Sequence, residues 1–349
     1  MGQVHCRAAR AARATLAAVV SSSPASSARA AAALGIDRAF DSLEDMLIDG
    51  GIDVVHVVSP NTSHFQYALA AIRAGKHVVC EKPLTTSPAE AAELASAARV
   101  AGVVATVPFV YRFHPMVREA RTRVAAGDAG RLLSIQGCYL QDWLLDSADD
   151  NWRVDAAVGG PSRAFADIGS HLVDLTEFVT GDRISRLQAV TRTVFDRRAT
   201  HTDISTEDLV AVLLQTTSGA IGTLLVSQVA AGRKNRLHLE ISGTDESLVF
   251  DQENPETLWL GRRKGSELLQ RDLSLSEDAL RLSVLPPGHP LGYQDAFNAF
   301  VADSYAAIGG DRRDGLPTFD DGLRAVTLTD AVVVSAQSGS WVAVEGASQ

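Results

Sequence analysis

Lys82 stands where an apolar run gives way to charge, a position suited to catalysis. Val78-Val79-Cys80 is followed directly by Glu81, Lys82 and Pro83. In open parallel sheets, functional groups gather at the carboxyl ends of the strands. An ammonium placed there can stabilise a developing alkoxide. Taken alone, the segment is read more simply as a surface Glu–Lys pair that ends a strand, so the rest of the sequence has to decide.

A second group of polar residues lies in a predicted helix. At about 100° per residue, Asp167, His171 and Asp174 share one face of a helix that the pattern places over Ile168 to Thr180. Histidine can accept a proton near neutral pH, and a neighbouring aspartate can orient it or bind substrate. Two alternatives stay open: an ordinary histidine beside a helix-start carboxylate, and a shared metal ion. The metal interpretation has no obvious third ligand, so we expect no metal.

A third candidate is the turn Ser59-Pro60-Asn61, with His64 opening the next helix. It follows the apolar run Val54 to Val58. A strand-to-helix turn at the carboxyl edge of a parallel sheet is where a cofactor would lie. The alternative is a plain loop with a helix cap. His56, in the middle of the run, is interpreted as a core histidine.

The elements that must position these residues alternate through the first third of the chain. Nearly continuous apolar strands separated by helices predict a parallel sheet covered on both faces, in a doubly wound α/β domain. The predicted strands are Leu16 to Val20, Val54 to Val58, Val78 to Cys80 and Val103 to Val107; the predicted helices are Gln3 to Ala14, Ala25 to Leu34, Leu43 to Ile48, His64 to Ala74 and Pro88 to Ala101.

The pattern changes after about Leu132. Successive short strands with hairpin-like connections predict a largely antiparallel open sheet, giving an α+β second domain. We expect domains over residues 1–115 and 116–349, with a late helix packing on this sheet or returning to the first domain. The predicted strands are Leu132 to Leu140, Val190 to Val194, Leu209 to Leu214, Ile221 to Val226, Leu237 to Ile241 and Ser247 to Phe250; the later helices are Tyr293 to Ile308 and Asp320 to Ser335.

Composition narrows the possible partners and the compartment. A formal net charge of -10 disfavours nucleic acid and anionic membrane surfaces. Cys6, Cys80 and Cys138 are far apart and lack CxxC spacing, which favours a reducing, cytoplasmic setting. No apolar run approaches the roughly 18 residues of a membrane span. The acid-free stretch Met1 to Ile36 has the composition of a transit peptide, but we interpret it as a helix and a strand already inside a domain.

Together, these segments resemble the Gfo/Idh/MocA family, which includes glucose–fructose oxidoreductase and inositol dehydrogenase. Each motif is weak alone, but their order and intervals along nearly the whole chain are highly specific. They are Val54 to Asn61 with His64, Ala74-Gly75-Lys76-His77 running into Glu81-Lys82-Pro83, Tyr111-Arg112-Phe113, and Asp167-Ile168-Gly169-Ser170-His171.

The resemblance implies residue roles. Lys82 would contact the substrate hydroxyl and the nicotinamide region. Asp167 and His171 would be the acid/base pair on the substrate side. Glu81 and Pro83 would shape the turn, with a cis Lys82–Pro83 bond possible. Residues implied to bind cofactor are Gly2, Ser21, Ser22, Ser59, Pro60, Asn61, His64, Glu81 and Lys82. Further residues implied to bind substrate are Tyr111, Arg112, Trp152, Arg153, His289 and Tyr293.

The implied activity is NAD- or NADP-dependent hydride transfer at a secondary ring hydroxyl of a sugar or cyclic polyol. The hydride chemistry belongs to the nicotinamide, and the protein must take up the hydroxyl proton. The sequence does not choose between Lys82 and His171 as the acceptor. An NAD-dependent glycosidase and a non-catalytic relative remain alternatives. The resemblance also implies a homodimer or homotetramer.

The dinucleotide fingerprint is incomplete in this sequence. The pattern G-x-G-x-x-G occurs nowhere in the chain, and Met1-Gly2-Gln3-Val4-His5 matches only its tail, with Gly2 as the third glycine. We therefore expect a first strand and glycine loop to precede residue 1. An acid commonly ends the second strand of NAD enzymes. Ser21-Ser22-Ser23 stands there, with Arg29 following, so NADP is as compatible as NAD.

Overall fold

The structure, a computed structural model, describes residues 1–344 and Gly346. These residues divide into two compact units. The first unit comprises Met1–Thr85, Ala89–Val110 and Tyr293–Leu323; the second comprises Thr86–Pro88, Tyr111–Gly292 and the chain from Arg324 onward. The main division falls after Val110, slightly before the expected residue 115, and a late segment belongs to the first unit.

The first unit alternates helices and parallel strands, which confirms its α/β class. Its elements are α1 (Gly2–Ala11), β1 (Val19–Val20), α2 (Pro24–Leu34), β2 (Ala39–Phe40), α3 (Leu43–Ile48), β3 (Val54–Val57), α4 (His64–Arg73), β4 (His77–Cys80), α5 (Pro88–Ala101) and β5 (Ala105–Thr106). The acid-free N-terminal stretch forms α1, β1 and α2, as expected for residues inside a domain. Strand β2 has only two residues, too few to show a pattern in the sequence.

The described strands of this unit pair into two parallel sheets rather than the single sheet that was expected. Strand β1 pairs with β2, and β4 lies between β3 and β5. Val57 at the end of β3 is in register with Cys80 at the end of β4. The turns that follow these two strands therefore leave the same edge side by side.

One late helix, α10 (Tyr293–Ile308), completes the first unit. It packs against α1, and Gln294 Nε2 donates to the Val4 carbonyl at 3.2 Å. The Thr106 and Ser304 hydroxyls are hydrogen-bonded at 3.1 Å. This helix thus places its side chains next to α1 and β5.

The second unit is built on one sheet, which has nine strands among the described residues, in the order β13-β12-β11-β10-β6-β9-β8-β7-β14. All neighbours are antiparallel except β6 and β9, which confirms the largely antiparallel class. The strands are β6 (Leu132–Leu140), β7 (Ile184–Arg192), β8 (Leu209–Thr216), β9 (Ile221–Ser227), β10 (Arg236–Gly243), β11 (Ser247–Asp251), β12 (Thr257–Arg262), β13 (Gly265–Gln270) and β14 (Val342–Ala343).

Helices cover one face of this sheet, and α8 packs on β6 and β10. A Cβ on Gly137 in β6 would lie 3.0 Å from Leu172 Cδ1 of α8, so glycine allows the close approach. The other face is exposed, because burial alternates along strands such as β8. The helices are α6 (Pro115–Ala126), α7 (Ala156–Gly159), α8 (Ser170–Thr180), α9 (Glu277–Leu280) and α11 (Phe319–Ser338), which begins in the first unit.

Candidate active site

The turn after β4 is anchored by the buried carboxylate of Glu81. Its Oε2 accepts the Lys82 backbone N–H at 3.2 Å, and its Oε1 lies 2.9 Å from His5 Nε2 on α1. Burial opposes ionisation of Glu81, but the hydrogen bond and charge of His5, together with Lys82, hold its pKa at about 2. The Lys82–Pro83 peptide bond is cis, as the resemblance implied. Because Glu81 bonds both the Lys82 backbone and His5, the turn that carries Lys82 is held in place, although the Lys82 side chain is only half-buried.

His64 links the turn after β4 to the turn after β3. Its Nδ1 lies 2.8 Å from the Pro83 carbonyl oxygen, and its Nε2 lies 2.9 Å from the Ser59 carbonyl oxygen. Burial lowers the pKa of His64, while both backbone hydrogen bonds oppose that shift. His64 thus links the Ser59-Pro60-Asn61 turn to Pro83, and its contact with the cofactor stays a prediction.

The helix that carries the acid/base candidates does not start as a regular α-helix. Phe165–Gly169 forms a π-helical turn, in which the Ser170 N–H donates to the Phe165 carbonyl, and α8 continues from there. The wider turn changes the 100° spacing on which the shared face of Asp167 and His171 was predicted. Both residues nevertheless border Tyr111: the His171 ring centroid lies 5.1 Å away, and the Asp167 charge adds to burial in raising the pKa of Tyr111.

Asp167 is held by two residues from other parts of the second unit. Gln228, fully buried just after β9, donates from Nε2 to Asp167 Oδ2 at 2.9 Å. Arg153 Nε lies 3.6 Å from Asp167 Oδ1, and its guanidinium stacks 4.4 Å above the Trp152 ring. The structure thus brings Arg153 to Asp167, with Trp152 supporting it. The sequence analysis did not identify Gln228 as a site residue. Its one distinguishing feature in the sequence is its position at the end of an alternating strand.

A hydrogen-bonded wall adjoins His171. The Tyr111 and Tyr139 hydroxyls bond each other, Tyr139 donates to Asn235 Oδ1 at 2.8 Å, and Asn235 Nδ2 donates to the Tyr111 hydroxyl at 3.1 Å. Gln141 Nε2 donates to the same Asn235 oxygen at 2.8 Å. Aromatic faces next to hydroxyl and amide groups suit a ligand ring that carries several hydroxyls. Asn235 was not singled out from the sequence, because a lone asparagine before a strand carries no signal.

Three other residues have surroundings that differ from those expected. Arg112 forms a buried ion pair with Asp174 and stacks on Phe178. This pair engages Asp174, which was predicted on the face of Asp167 and His171, and it occupies the Arg112 guanidinium. His289 is exposed in a loop of the second unit, and Tyr293 in the first unit packs on Phe297 at 6.0 Å between ring centroids.

Comparison with known proteins identifies the family. Residues 1–109 match the model described as "Oxidoreductase family, NAD-binding Rossmann fold", and residues 117–249 match the GFO/IDH/MocA C-terminal domain. The levoglucosan dehydrogenase of Pseudarthrobacter phenanthrenivorans is 30% identical, covering 93% of this chain and 88% of the relative. The chain belongs to the GFO/IDH/MocA family. It is an oxidoreductase with an NAD-binding Rossmann domain, which confirms the class expected from the sequence.

Solved structures of this family agree over the full length of the chain. A levoglucosan dehydrogenase in complex with NADH and levoglucosan is 29% identical, with a TM-score of 0.92 and coverage of 99% of this chain and 97% of that one. An inositol dehydrogenase homologue complexed with NAD+ from Azotobacter vinelandii is 27% identical, with a TM-score of 0.87 and coverage of 98% and 93%.

The first unit offers groups that fit a dinucleotide of this family. Gly2 opens α1, whose first turn has no side-chain cap and no acid, so its N–H groups suit a phosphate. Ser21 and Ser22 are exposed directly after β1. The Ser59-Pro60-Asn61 turn shares an edge with Lys82. These donors fit the cofactor, although Gly2 is the one glycine of the fingerprint in this chain.

Two properties of the described residues concern other ligand and partner classes. No group of three or more His, Cys, Asp or Glu side chains is placed to hold a metal ion in the part of the chain that the structure describes. Within the same residues, no helix has the length and apolar character needed to cross a bilayer.

Proposed function

We propose that the protein transfers a hydride between a secondary hydroxyl of a sugar or cyclic polyol and a nicotinamide cofactor. The observation that carries this proposal is the wall beside His171, where Tyr111, Tyr139 and Asn235 combine aromatic faces with hydrogen-bonding groups. A sugar ring needs both kinds of contact, because its faces are partly apolar and its edges carry hydroxyls. Relatives named for levoglucosan, D-xylose and D-glucoside support the same substrate class.

The proposed roles follow from the chemistry of alcohol oxidation. The carbon loses a hydride, the hydroxyl loses a proton, and a bound nicotinamide supplies the hydride acceptor. His171 would accept the proton, and Asp167, kept in place by Gln228 and Arg153, would orient substrate or histidine. Lys82 would stabilise the alkoxide as its charge develops. Trp152, His289 and Tyr293 stay candidates for substrate contact.

The cofactor is proposed to be NAD or NADP, held by Gly2 and by three turns of the first unit. Exposed Ser21 and Ser22 would face the adenine ribose, because they follow β1. No acid stands there to repel a 2′-phosphate. Titrating NADH and NADPH separately, with fluorescence as the signal, measures the preference directly. Failure of both to bind would contradict the proposed activity and support the non-catalytic alternative.

The activity test uses a panel of sugars and polyols with NAD+ or NADP+, following absorbance of the reduced nicotinamide. Lys82→Ala should lower kcat by at least about 100-fold while sparing most cofactor binding, because the lost interaction strengthens in the transition state. Lys264→Ala, in an exposed turn, is the matched control. Near-normal turnover in Lys82→Ala would contradict the assignment. Glycoside cleavage without accumulation of reduced cofactor would identify a glycosidase instead.

We also propose a homo-oligomer that uses the open face of the large sheet. Apolar side chains on that face are well exposed: Val190 is 69% exposed, Leu213 48%, Leu225 43% and Leu268 56%. The register aligns Val190, Ala211 and Leu225 across β7, β8 and β9. Exposed apolar side chains gathered on one sheet face are typical of an interface.

The oligomer is tested by light scattering coupled to size exclusion. Leu213→Glu should reduce the measured mass to that of a monomer, because the substitution would bury an uncompensated charge in the interface. Val100→Glu, at an 87% exposed position on α5, is the control and should leave the mass unchanged. A wild-type monomer, or a Leu213→Glu variant that stays assembled, would contradict this interface. The same experiment distinguishes a dimer from a tetramer.

We further propose that the protein acts in the cytoplasm. Cys6, Cys80 and Cys138 are all free thiols in the structure, which suits a reducing compartment. Fractionation of the producing cells followed by immunodetection tests this location. Recovery in a secreted or periplasmic fraction would contradict it.

A further inference from the structure

Four side chains form one continuous hydrogen-bonded chain inside the first unit. Tyr305 on α10 contacts His56 on β3, His56 contacts His5 on α1, and His5 contacts Glu81 beside Lys82. The Tyr305 hydroxyl lies 2.9 Å from His56 Nε2, and the two Nδ1 atoms of the histidines lie 2.8 Å apart. His56 is therefore not the plain core histidine expected from its place in the strand. The chain runs from a remote helix to the turn that carries Lys82.

The proton arrangement of this chain has only two consistent forms. The Nδ1–Nδ1 hydrogen bond holds a single hydrogen, so one ring donates and the other accepts. A neutral His5 donates from Nε2 to the Glu81 carboxylate and accepts at Nδ1; His56 then donates from Nδ1 and accepts the Tyr305 hydroxyl at Nε2. A protonated His5 donates from both nitrogens, and His56 then accepts at Nδ1 and donates from Nε2 to Tyr305. One proton thus sets the direction of the whole chain.

Burial keeps His56 and Tyr305, at the remote end of the chain, uncharged. Burial lowers the pKa of His56 to about 3, and the charge of His5 adds to this while Glu81 opposes it. Burial raises the pKa of Tyr305 to about 12, with Cys6 of α1 contributing. At the other end, His5, Lys82 and His64 are the basic side chains that face Glu81. Near neutral pH, His56 and Tyr305 are therefore both neutral in either form.

Packing holds the rings in this geometry. Phe297 of α10 stacks edge-to-face on His5 at 4.7 Å between centroids, and the Tyr305 ring lies 6.0 Å from His56. Because His5 has its Nδ1 fixed by His56, its Nε2 keeps facing Glu81. Glu81 in turn accepts the Lys82 backbone N–H. Displacement at the Tyr305 end would thus be transmitted to the backbone of Lys82.

We propose that His56 and Tyr305 are positioning residues for Lys82, acting through His5 and Glu81. This inference rests on the proposed role of Lys82 in hydride transfer. The two residues fix the tautomer of His5 that presents an N–H to Glu81, and so hold the Lys82 turn in one conformation. An analogous partner behind a metal-ligating histidine fixes its tautomer in the same way.

The tautomers can be read without cofactor or substrate, by NMR of protein containing ¹⁵N-labelled histidine. Where His5 is neutral, we expect His56 in the Nδ1–H form and His5 in the Nε2–H form. Tyr305→Phe leaves His56 Nε2 without its hydrogen-bond partner, so the ¹⁵N shift of His56 Nε2 should change while the hydrogen stays on Nδ1. Two neutral rings that both carry Nε2–H, or a ¹⁵N shift of His56 Nε2 unaffected by Tyr305→Phe, would overturn the inference.

Kinetics test the positioning role with matched variants. His56→Val places a residue that favours strands in β3 but removes the partner of His5, and Tyr305→Phe removes only a hydroxyl. Each should lower kcat about tenfold, a modest cost for a misplaced catalytic group, with KM changed by less than about threefold. His56→Asn, whose amide can still bond His5, should recover part of the loss. Tyr67→Phe on α4 is the control.

The outcomes separate this inference from the proposed function. A His56→Val enzyme with kcat within about twofold of wild type, or a loss that His56→Asn does not reduce, would overturn the positioning role. If the wild-type protein oxidises no sugar or polyol, the proposed function fails, while the NMR experiment still decides whether the chain exists and in which direction it runs.

Discussion

Replacing Asp208 with asparagine should destabilise the second unit strongly. Asp208 is fully buried, and its Oδ1 accepts hydrogen bonds from Arg163 and from Arg198 Nη2, whose side chains are also fully buried. Its Oδ2 accepts the Val194 N–H at 2.6 Å and the Phe195 N–H at 3.2 Å. A single carboxylate thus neutralises two guanidinium groups, and an amide of the same shape would leave both cations buried without that charge.

The expected cost follows from that burial. Removing one partner of a buried ion pair costs about 3–5 kcal/mol, out of a total folding free energy of about 5–15 kcal/mol. Burial raises the pKa of Asp208, but the charge and hydrogen bond of Arg163 and two backbone N–H groups outweigh it, so its net pKa is lowered. A lowered folded-state pKa means that the stabilisation is complete above the unfolded value of about 3.9 and is lost as pH falls through the lower folded value. The difference between variant and wild type should therefore shrink in acid.

Urea unfolding followed by circular dichroism, at pH 7 and in acid, measures both effects. Asp203→Asn is the matched control, because Asp203 is exposed in the same region with a φ of 58° that asparagine tolerates. It should change the free energy of unfolding by less than about 0.5 kcal/mol. An Asp208→Asn protein as stable as this control at pH 7, or an undiminished difference in strong acid, would refute the reasoning.

Three further predictions concern the site and its supports. Gln228→Leu should lower kcat/KM about tenfold, because the Asp167 carboxylate loses its hydrogen bond from Gln228. Cofactor binding, measured by fluorescence titration, should not change. A kcat/KM equal to that of wild type would contradict the importance of this hydrogen bond. Asp174→Asn should reduce the free energy of unfolding by about 3–5 kcal/mol, because Arg112 then stays buried without its anion, as urea titration measures. Glu81→Gln should reduce the free energy of unfolding by about 3 kcal/mol at pH 7, because the pKa of Glu81 is about 2 in the folded protein against its ordinary 4.5. Near pH 2 the reduction should be small, because wild-type Glu81 has itself lost most of that stabilisation there. A difference that does not depend on pH would be inconsistent with this shift.

Local patterns were sufficient for most elements around the site. Continuous apolar runs marked β3 and β4 to within a residue, and the turns after them were the predicted cofactor and lysine segments. Alternation and hairpin turns marked β6 and β8 to β11. These predictions succeeded because burial on one or both faces of a strand imposes a period that neighbouring residues alone reveal. Strands β2, β12, β13 and β14 were missed: β2 and β14 have two residues each, and β13 is mostly exposed, whereas β12 alternates and was overlooked. Strand β7 was placed too late, at Val190 to Val194 instead of Ile184–Arg192.

Contacts between distant residues were not accessible in this way. Gln228 reaches Asp167 from 61 positions away, and His5 reaches Glu81 from 76 positions away. The π-helical turn at Phe165–Gly169 also escaped prediction, since a single wider turn leaves the sequence looking helical. Arg112 was expected in the substrate site, whereas its guanidinium forms an ion pair with the buried carboxylate of Asp174.

The sequence by itself determined the family, the α/β and antiparallel classes of the two units, and the residues that carry charge at strand and helix ends. Only the tertiary structure decided which partners each of those residues has. Lys82 follows a strand by sequence, but His5, His56 and Tyr305 fix the turn that holds it. The physical reason is that apolar periodicity is a local property, whereas a buried polar group must find its partners wherever the fold brings them.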